Sequence, residues 1–275
     1  MSKVCVYTKP FPSVESYKEM IDIAVGFGLD AVEGFCQFEF ADPDVEAAKE
    51  IKKYADEKGV KFPCFSVFIN LVGDDSALMV ERLKGYAEVA AALGSPYLHH
   101  TIACNYSEPE KIVPFKDELF IKGVGAVREV YDYAEKLGVK TIFEDQGFLF
   151  NGVEGFGKFL AEVNRDVGVV ADFGNIYQSY DGIEDFIKAF KDKVMHAHVK
   201  DITLEDSNEK GGLPTLPGKY MCEAEVGKGI IDIKGAINLL KEAGYDGYYG
   251  IEYGAPEDGS PKMDEAIKYV CESLR

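Results

Sequence analysis

Arginine is scarce in this sequence. Among 275 residues there are four, Arg82, Arg128, Arg165 and Arg275. The guanidinium fork is a common grip on phosphate, so a strongly phosphate-directed site is disfavoured. Positive charge is short altogether, with 30 Lys and Arg against 48 Asp and Glu and a formal charge of −18. Nucleic acid and anionic membranes need a basic surface that neutralises phosphate, so neither is expected as a partner. No apolar run reaches the roughly 18 residues from which a membrane-spanning helix is read. The opening stretch Met1–Tyr7 has no signal-peptide core and reads as a strand, which sets the expectation of a cytoplasmic protein. Six cysteines are scattered with no CxxC pair, and read as reduced, mostly buried thiols.

Hydrophobic residues make up 47% of the chain, enough for a large core. Their periodicity switches between short apolar runs and longer helical patterns. Strands are predicted at 3–8, 31–35, 62–68, 97–103, 140–144, 167–173, 194–200 and 248–253. Helices are predicted at 14–27, 44–58, 78–93, 123–137, 152–163, 183–191, 233–243 and 262–274. Gly28, Gly59, Gly94, Gly138 and Gly244 stand where left-handed C-caps belong, and Ser13 and Asp42 where N-caps belong. Nearly continuous apolar strands such as Val169-Val170-Ala171 belong to parallel sheets covered on both faces. Eight βα units in this length predict an α/β protein, a (β/α)8 TIM barrel forming a single domain over 1–275. A doubly wound open sheet is the alternative, weakened because no GxGxxG follows the first strand. The connection 202–232 is too long to be a mere link, and is expected to serve as an active-site loop.

Histidine is rare, and half of the four sit in Val194-Met195-His196-Ala197-His198-Val199-Lys200-Asp201. Glu144, Asp172, His198 and Glu252 fall at or near the ends of the last four predicted strands, which a barrel gathers on one rim. An acidic strand end standing alone is commonly a solvated edge or a helix cap. Four at equivalent places form a ligand set for one divalent metal. Its hard oxygen donors suit Mn2+, Mg2+ or Co2+ better than a thiolate-rich zinc site would. His196 shares a face with His198 one layer deeper, where it supports the ligand or meets substrate. Lys200 continues that face outward, to a substrate oxygen or a carboxylate. Glu33, near the end of the second strand, is placed to meet a substrate hydroxyl or to hold His99 or His100. Those two histidines are adjacent, so only one can face the pocket. Phe11, Phe35 and Phe68 lie near the same rim.

The run His196-Ala197-His198-Val199-Lys200-Asp201, with upstream Glu144 and Asp172, downstream Gly227-Lys228-Gly229-Ile230-Ile231-Asp232 and the strand entry Gly244 to Tyr253, resembles the xylose-isomerase-like TIM-barrel superfamily. Its sugar isomerase/epimerase members include ketose 3-epimerases and hydroxypyruvate isomerase. The resemblance implies one divalent metal, Mn2+ first with Mg2+, Co2+ or Zn2+ as alternatives, held by Glu144, Asp172, His198 and Glu252. It implies Glu144 and Glu252 as catalytic acid and base, and a homo-oligomer. A metal on a carbonyl and its neighbouring hydroxyl acidifies the C–H between them and stabilises the enediolate. Carboxylates on its two faces would epimerise the carbon. Transfer between adjacent carbons on one face would isomerise it. The expected function is therefore isomerisation or epimerisation of a small sugar or keto-polyol. A metal-dependent dehydratase or lyase on a keto-sugar or keto-inositol, and a non-catalytic binding subunit, are the alternatives. Many members carry histidine three residues after the strand-six aspartate. Here that position is Asn175, a substrate hydrogen-bonder at most. Endonuclease IV-like repair enzymes share the superfamily, but need many histidines and a DNA-binding surface, against which the charge argues.

Overall fold

A computed structural model describes residues 3–7, 14–103, 117–147, 149–252 and 263–275. Eight parallel strands close into a barrel: β1 (Val4–Tyr7), β2 (Val32–Phe35), β3 (Phe65–Val67), β4 (Tyr97–His100), β5 (Lys140–Glu144), β6 (Gly168–Asp172), β7 (Val194–Val199) and β11 (Tyr249–Ile251). The helices that alternate with them are α1 (Tyr17–Gly26), α2 (Val45–Lys58), α3 (Ser76–Leu93), α4 (Asp117–Ala134), α5 (Gly152–Val163), α6 (Ile183–Phe190), α7 (Ile233–Glu242) and α8 (Met263–Ser273). This is the predicted (β/α)8 barrel. Closure pairs each barrel strand on both sides, because β1 pairs with both β2 and β11.

The helix starts follow from side chains that cap free amides. Asp44, not Asp42, accepts from the Glu46 and Ala47 amides at 3.0 and 2.9 Å and opens α2. Asp42 instead pairs with Arg82 at 2.5 Å. Ser13 lies outside the described residues, and α1 is capped by Ser16, which accepts from the Glu19 amide. Gly59, Gly94 and Gly138 end their helices with φ of +74°, +72° and +74°, a conformation in which any other residue is strained. The third strand is shorter than predicted, starting only at Phe65, beyond Pro63, which has no N–H for the ladder, and ending at Val67.

Two departures from regularity shape the site. The β6–β7 register slips between Val169 and Val170, so that Val170 faces His196 and Asp172 faces His198. The bulge absorbs Met195 and aims His196 and His198 into the barrel. The second is an insertion after β7. The stretch read as a loop contains β8 (Asp201–Glu205), β9 (Leu213–Pro214) and β10 (Tyr220–Ala224), an antiparallel sheet ordered β8-β10-β9.

That insertion is fastened at its base. Asp201 Oδ2 accepts from the Gly227 and Gly229 amides at 2.9 and 2.8 Å, and Oδ1 from the Ile202 and Ile231 amides at 2.9 and 3.2 Å. A Cβ on Gly229 would overlap the Asp201 carboxylate, which explains the glycine. The G-x-G segment thus cages a carboxylate of its own chain. Asp201→Ala strands up to four amides with no charged acceptor and should cost about 3–5 kcal/mol. Urea unfolding checks this, and a change within about 0.5 kcal/mol, typical of surface positions, would refute it.

Candidate metal centre and active site

The C-terminal ends of the strands surround a cavity of about 850 Å³. Tyr7, His99, Glu144, Asn175, His198, Lys200 and Glu252 line its base, and Lys210, Gly212, Met221 and Glu223 of the inserted sheet and its turn line its wall. Phe35 and Phe68 also line it, whereas Phe11 lies outside the described residues.

Glu144, Asp172, His198 and Glu252 converge, each offering one ligand atom within 4.8 Å of the others. His198 Nδ1 stands 3.6 Å from Glu144 Oε2, 3.6 Å from Asp172 Oδ2 and 3.4 Å from Glu252 Oε2. Donors about 2.1 Å from one shared ion lie roughly 3.0–3.5 Å apart, so a small contraction fits the set to a single divalent cation. Glu144 Oε2, Asp172 Oδ2 and His198 Nδ1 are buried and make no hydrogen bond. Lys200 reaches Asp172 Oδ2 only as an ion pair at 3.3 Å, and a divalent cation would be bound by all three atoms at once.

The partner atoms of two of these groups are already held. Asp172 Oδ1 accepts from the Gly174 and Asn175 amides, both at 2.8 Å, leaving Oδ2 toward the cluster. His198 Nε2 lies 2.8 Å from Glu33 Oε1, leaving Nδ1 toward it.

Electrostatics keeps the cluster charged. Burial raises the Asp172 carboxyl, but Lys200 and His198 outweigh it and the net shift is downward. Burial likewise raises Glu144, and His99 and His198 bring it below its usual range. Burial lowers the Lys200 ammonium, but Asp172, Glu252 and Glu144 hold it well above its ordinary value. Lys200 Nζ sits 3.0 Å from Glu252 Oε1, 3.3 Å from Asp172 Oδ2 and 3.2 Å from Asn175 Oδ1. Its stem crosses Gly174, where a Cβ would collide with it. Asp201, adjacent to Lys200 in sequence, is instead taken by the backbone cage.

Of the adjacent histidines, His99 faces the cavity, its ring centroid 5.2 Å from that of His198. His100 points the opposite way onto Phe143 at 4.8 Å, and burial pushes its pKa down to about 3. Substrate contact by His100 is therefore ruled out by strand parity. Glu33 and His196 are also set below the cavity rather than on its wall: Glu33 is 0% and His196 1% exposed, and they bond to each other at 2.7 Å. The hydroxyl-binding role considered for Glu33 gives way to contact with histidine.

Sequence reading missed Tyr7, Ser66 and Gln146. The Tyr7 ring lies 5.6 Å from His198, and burial, then Glu252 and Glu33, raise its phenol well above the ordinary value, so it stays a donor. Its signal was its place at the end of β1, two residues past the inward Cys5. Ser66 was the one hydroxyl in an apolar strand, and Gln146 stands two residues past Glu144.

A family model described as xylose isomerase-like TIM barrel matches residues 21–273. An inosose isomerase of Halalkalibacterium halodurans is 29% identical over 197 residues, covering 69% of this chain and 64% of that one. An inosose dehydratase of Serratia proteamaculans is 27% identical, covering 58% of this chain and 55% of that one. The chain thus matches less than two thirds of the length of either relative. The structure of D-psicose 3-epimerase with D-tagatose from Clostridium cellulolyticum H10 superposes with a TM-score of 0.79 at 16% identity, covering 99% of both chains.

Proposed function

The chain belongs to the xylose isomerase-like TIM-barrel family, and on that premise we propose that it is a divalent-metal-dependent isomerase or epimerase of a small keto-polyol or sugar. The observation that carries this reading is the convergence of buried ligand atoms on Glu144, Asp172 and His198, closed by Glu252. A bound divalent cation would polarise a substrate carbonyl and its neighbouring hydroxyl and acidify the C–H between them. Glu144 and Glu252 supply proton acceptors beside that carbon, one removing the proton and the other returning it. His198 and Asp172 act as ligands, each aimed by the hydrogen bonds on its far atom. The Lys200 ammonium, buried among carboxylates, can donate to a substrate oxygen, as can Asn175 and Tyr7. Mn2+ heads the expected metals because oxygen donors dominate the set. The neutral Asn175 and the shortage of arginine favour an unphosphorylated substrate.

Loss of water is the second reading. It is favoured by the similarity to an inosose dehydratase and by an ammonium that faces the cavity beside Glu252. The same proton abstraction begins both reactions. The test is to incubate the metal-loaded protein with inososes and ketohexoses in deuterated water and follow each product by NMR. Deuterium at the carbon beside the carbonyl in an isomeric product is expected. An unsaturated product instead would select dehydration, and absence of exchange on every compound would overturn the proposal.

A further inference from the structure

Beneath the candidate metal centre lies a carboxylate that the proposed chemistry does not use. Glu33 is completely buried within β2. A lone buried carboxylate is expensive, so its partners explain its presence. His198 Nε2 lies 2.8 Å from Oε1, Ser66 Oγ donates to Oε1 at 2.7 Å, and His196 Nε2 lies 2.7 Å from Oε2. Ser66 Oγ is also 3.0 Å from His99 Nδ1, so the same carboxylate reaches a second cavity histidine through one hydroxyl. Ser66 already donates to Oε1, and the two oxygens of one carboxyl satisfy both rings at once when His198 and His196 each donate from Nε2.

The surroundings are cut to admit this bridge. A Cβ at Gly250 would overlap Glu33 Oε2 and approach His196 Nε2 to 3.2 Å. Glycine on β11 therefore makes room for a carboxylate reaching across from β2. His196 occupies Oε2 and Ser66 shares Oε1, so the carboxylate cannot rotate away from His198.

We propose that Glu33 is the positioning residue of the metal centre, clamping His198 as its Nε2–H tautomer so that Nδ1 faces Glu144, Asp172 and Glu252. This rests on the metal-centre reading above. Glu33 touches neither the cavity nor the ligand atoms, and acts only through His198 and, by way of Ser66, through His99. The hydrogen bond makes His198 a stronger electron donor and removes the ring flip that would present Nε2 instead.

The experiment titrates the metal-free protein with Co2+ and Mn2+, reading the Co2+ visible spectrum and the Mn2+ EPR signal. It also records 15N–1H spectra of the Zn2+-loaded, histidine-labelled protein. Wild type should bind one equivalent and show His198 with a proton on Nε2 and metal on Nδ1. Glu33→Gln keeps the volume and removes the charge, and should weaken binding about 10–100-fold with an altered Co2+ spectrum. Ser66→Ala leaves the His198 contact intact and should stay within about threefold, far below that loss. Wild type that binds no metal at the four-ligand cluster overturns the metal-centre reading itself. Wild type that binds metal there through His198 Nε2 overturns the clamp alone. So does a folded Glu33→Gln variant with wild-type affinity and spectrum. Should Glu33→Gln fail to fold, the wild-type tautomer still decides.

Discussion

Glu144→Gln and Glu252→Gln are each expected to slow conversion of a keto-polyol substrate about 10²–10⁴-fold, and at least one of them to stop solvent deuterium from entering it. An amide keeps the shape of the side chain and an oxygen able to ligate, but has no basic site at neutral pH. Burial and neighbouring charge compete at Glu144: burial raises its carboxyl, and His99 and His198 return it below the usual range, so it stands ready as a base. Both glutamates also belong to the ligand cluster, so exchange must be compared at equal metal occupancy, measured by elemental analysis. With two bases on opposite faces, either variant alone blocks complete epimerisation. With transfer on one face, one glutamate suffices and the other variant retains wash-in. Retained wash-in in both refutes the two-glutamate scheme.

Removing divalent metal should abolish turnover and lower the melting temperature together. The cluster places three carboxylates and an imidazole against one another in a buried setting. Without a cation, Lys200 and a protonated His198 must offset that charge: burial lowers the His198 pKa, but Glu33, Asp172 and Glu144 raise it well above the ordinary value. A cation bound only by the folded state at about 100 times its dissociation constant adds about 2.7 kcal/mol. For a chain of this size that is roughly 5 °C in melting temperature. Calorimetry before and after chelation checks the shift, and Mn2+, Co2+ or Mg2+ re-addition should restore both properties. Full activity in thoroughly chelated protein would sink the metal-dependent mechanism.

Much of the candidate site was legible because its residues sit at repeated places in a repeated unit. Glu144 and Asp172 are the final residues of β5 and β6, and Glu252 follows β11 directly. Other features were not legible. His99 and His100 differ only in parity, and parity depends on where the strand enters the barrel. Asp201 looked like a charge at a strand end, and its four amide donors come from Ile202 and from 26 to 30 residues away. Glu33 looked like a rim residue, and its histidine partners lie 163 and 165 residues along the chain.

The alternation of eight strands and eight helices, the acidic, arginine-poor composition, and a set of carboxylates and one histidine at strand ends could be read from the chain alone. Local periodicity and composition suffice for these, because each unit buries its own apolar face. Only the tertiary structure decided which ring faces inward, which nitrogen of His198 is left free, and what Glu33 and Lys200 touch. Those outcomes depend on barrel closure and on the register slip at Val169 and Val170, which turns β7 by one residue. Register is a relation between strands, and no single strand carries it in its own pattern.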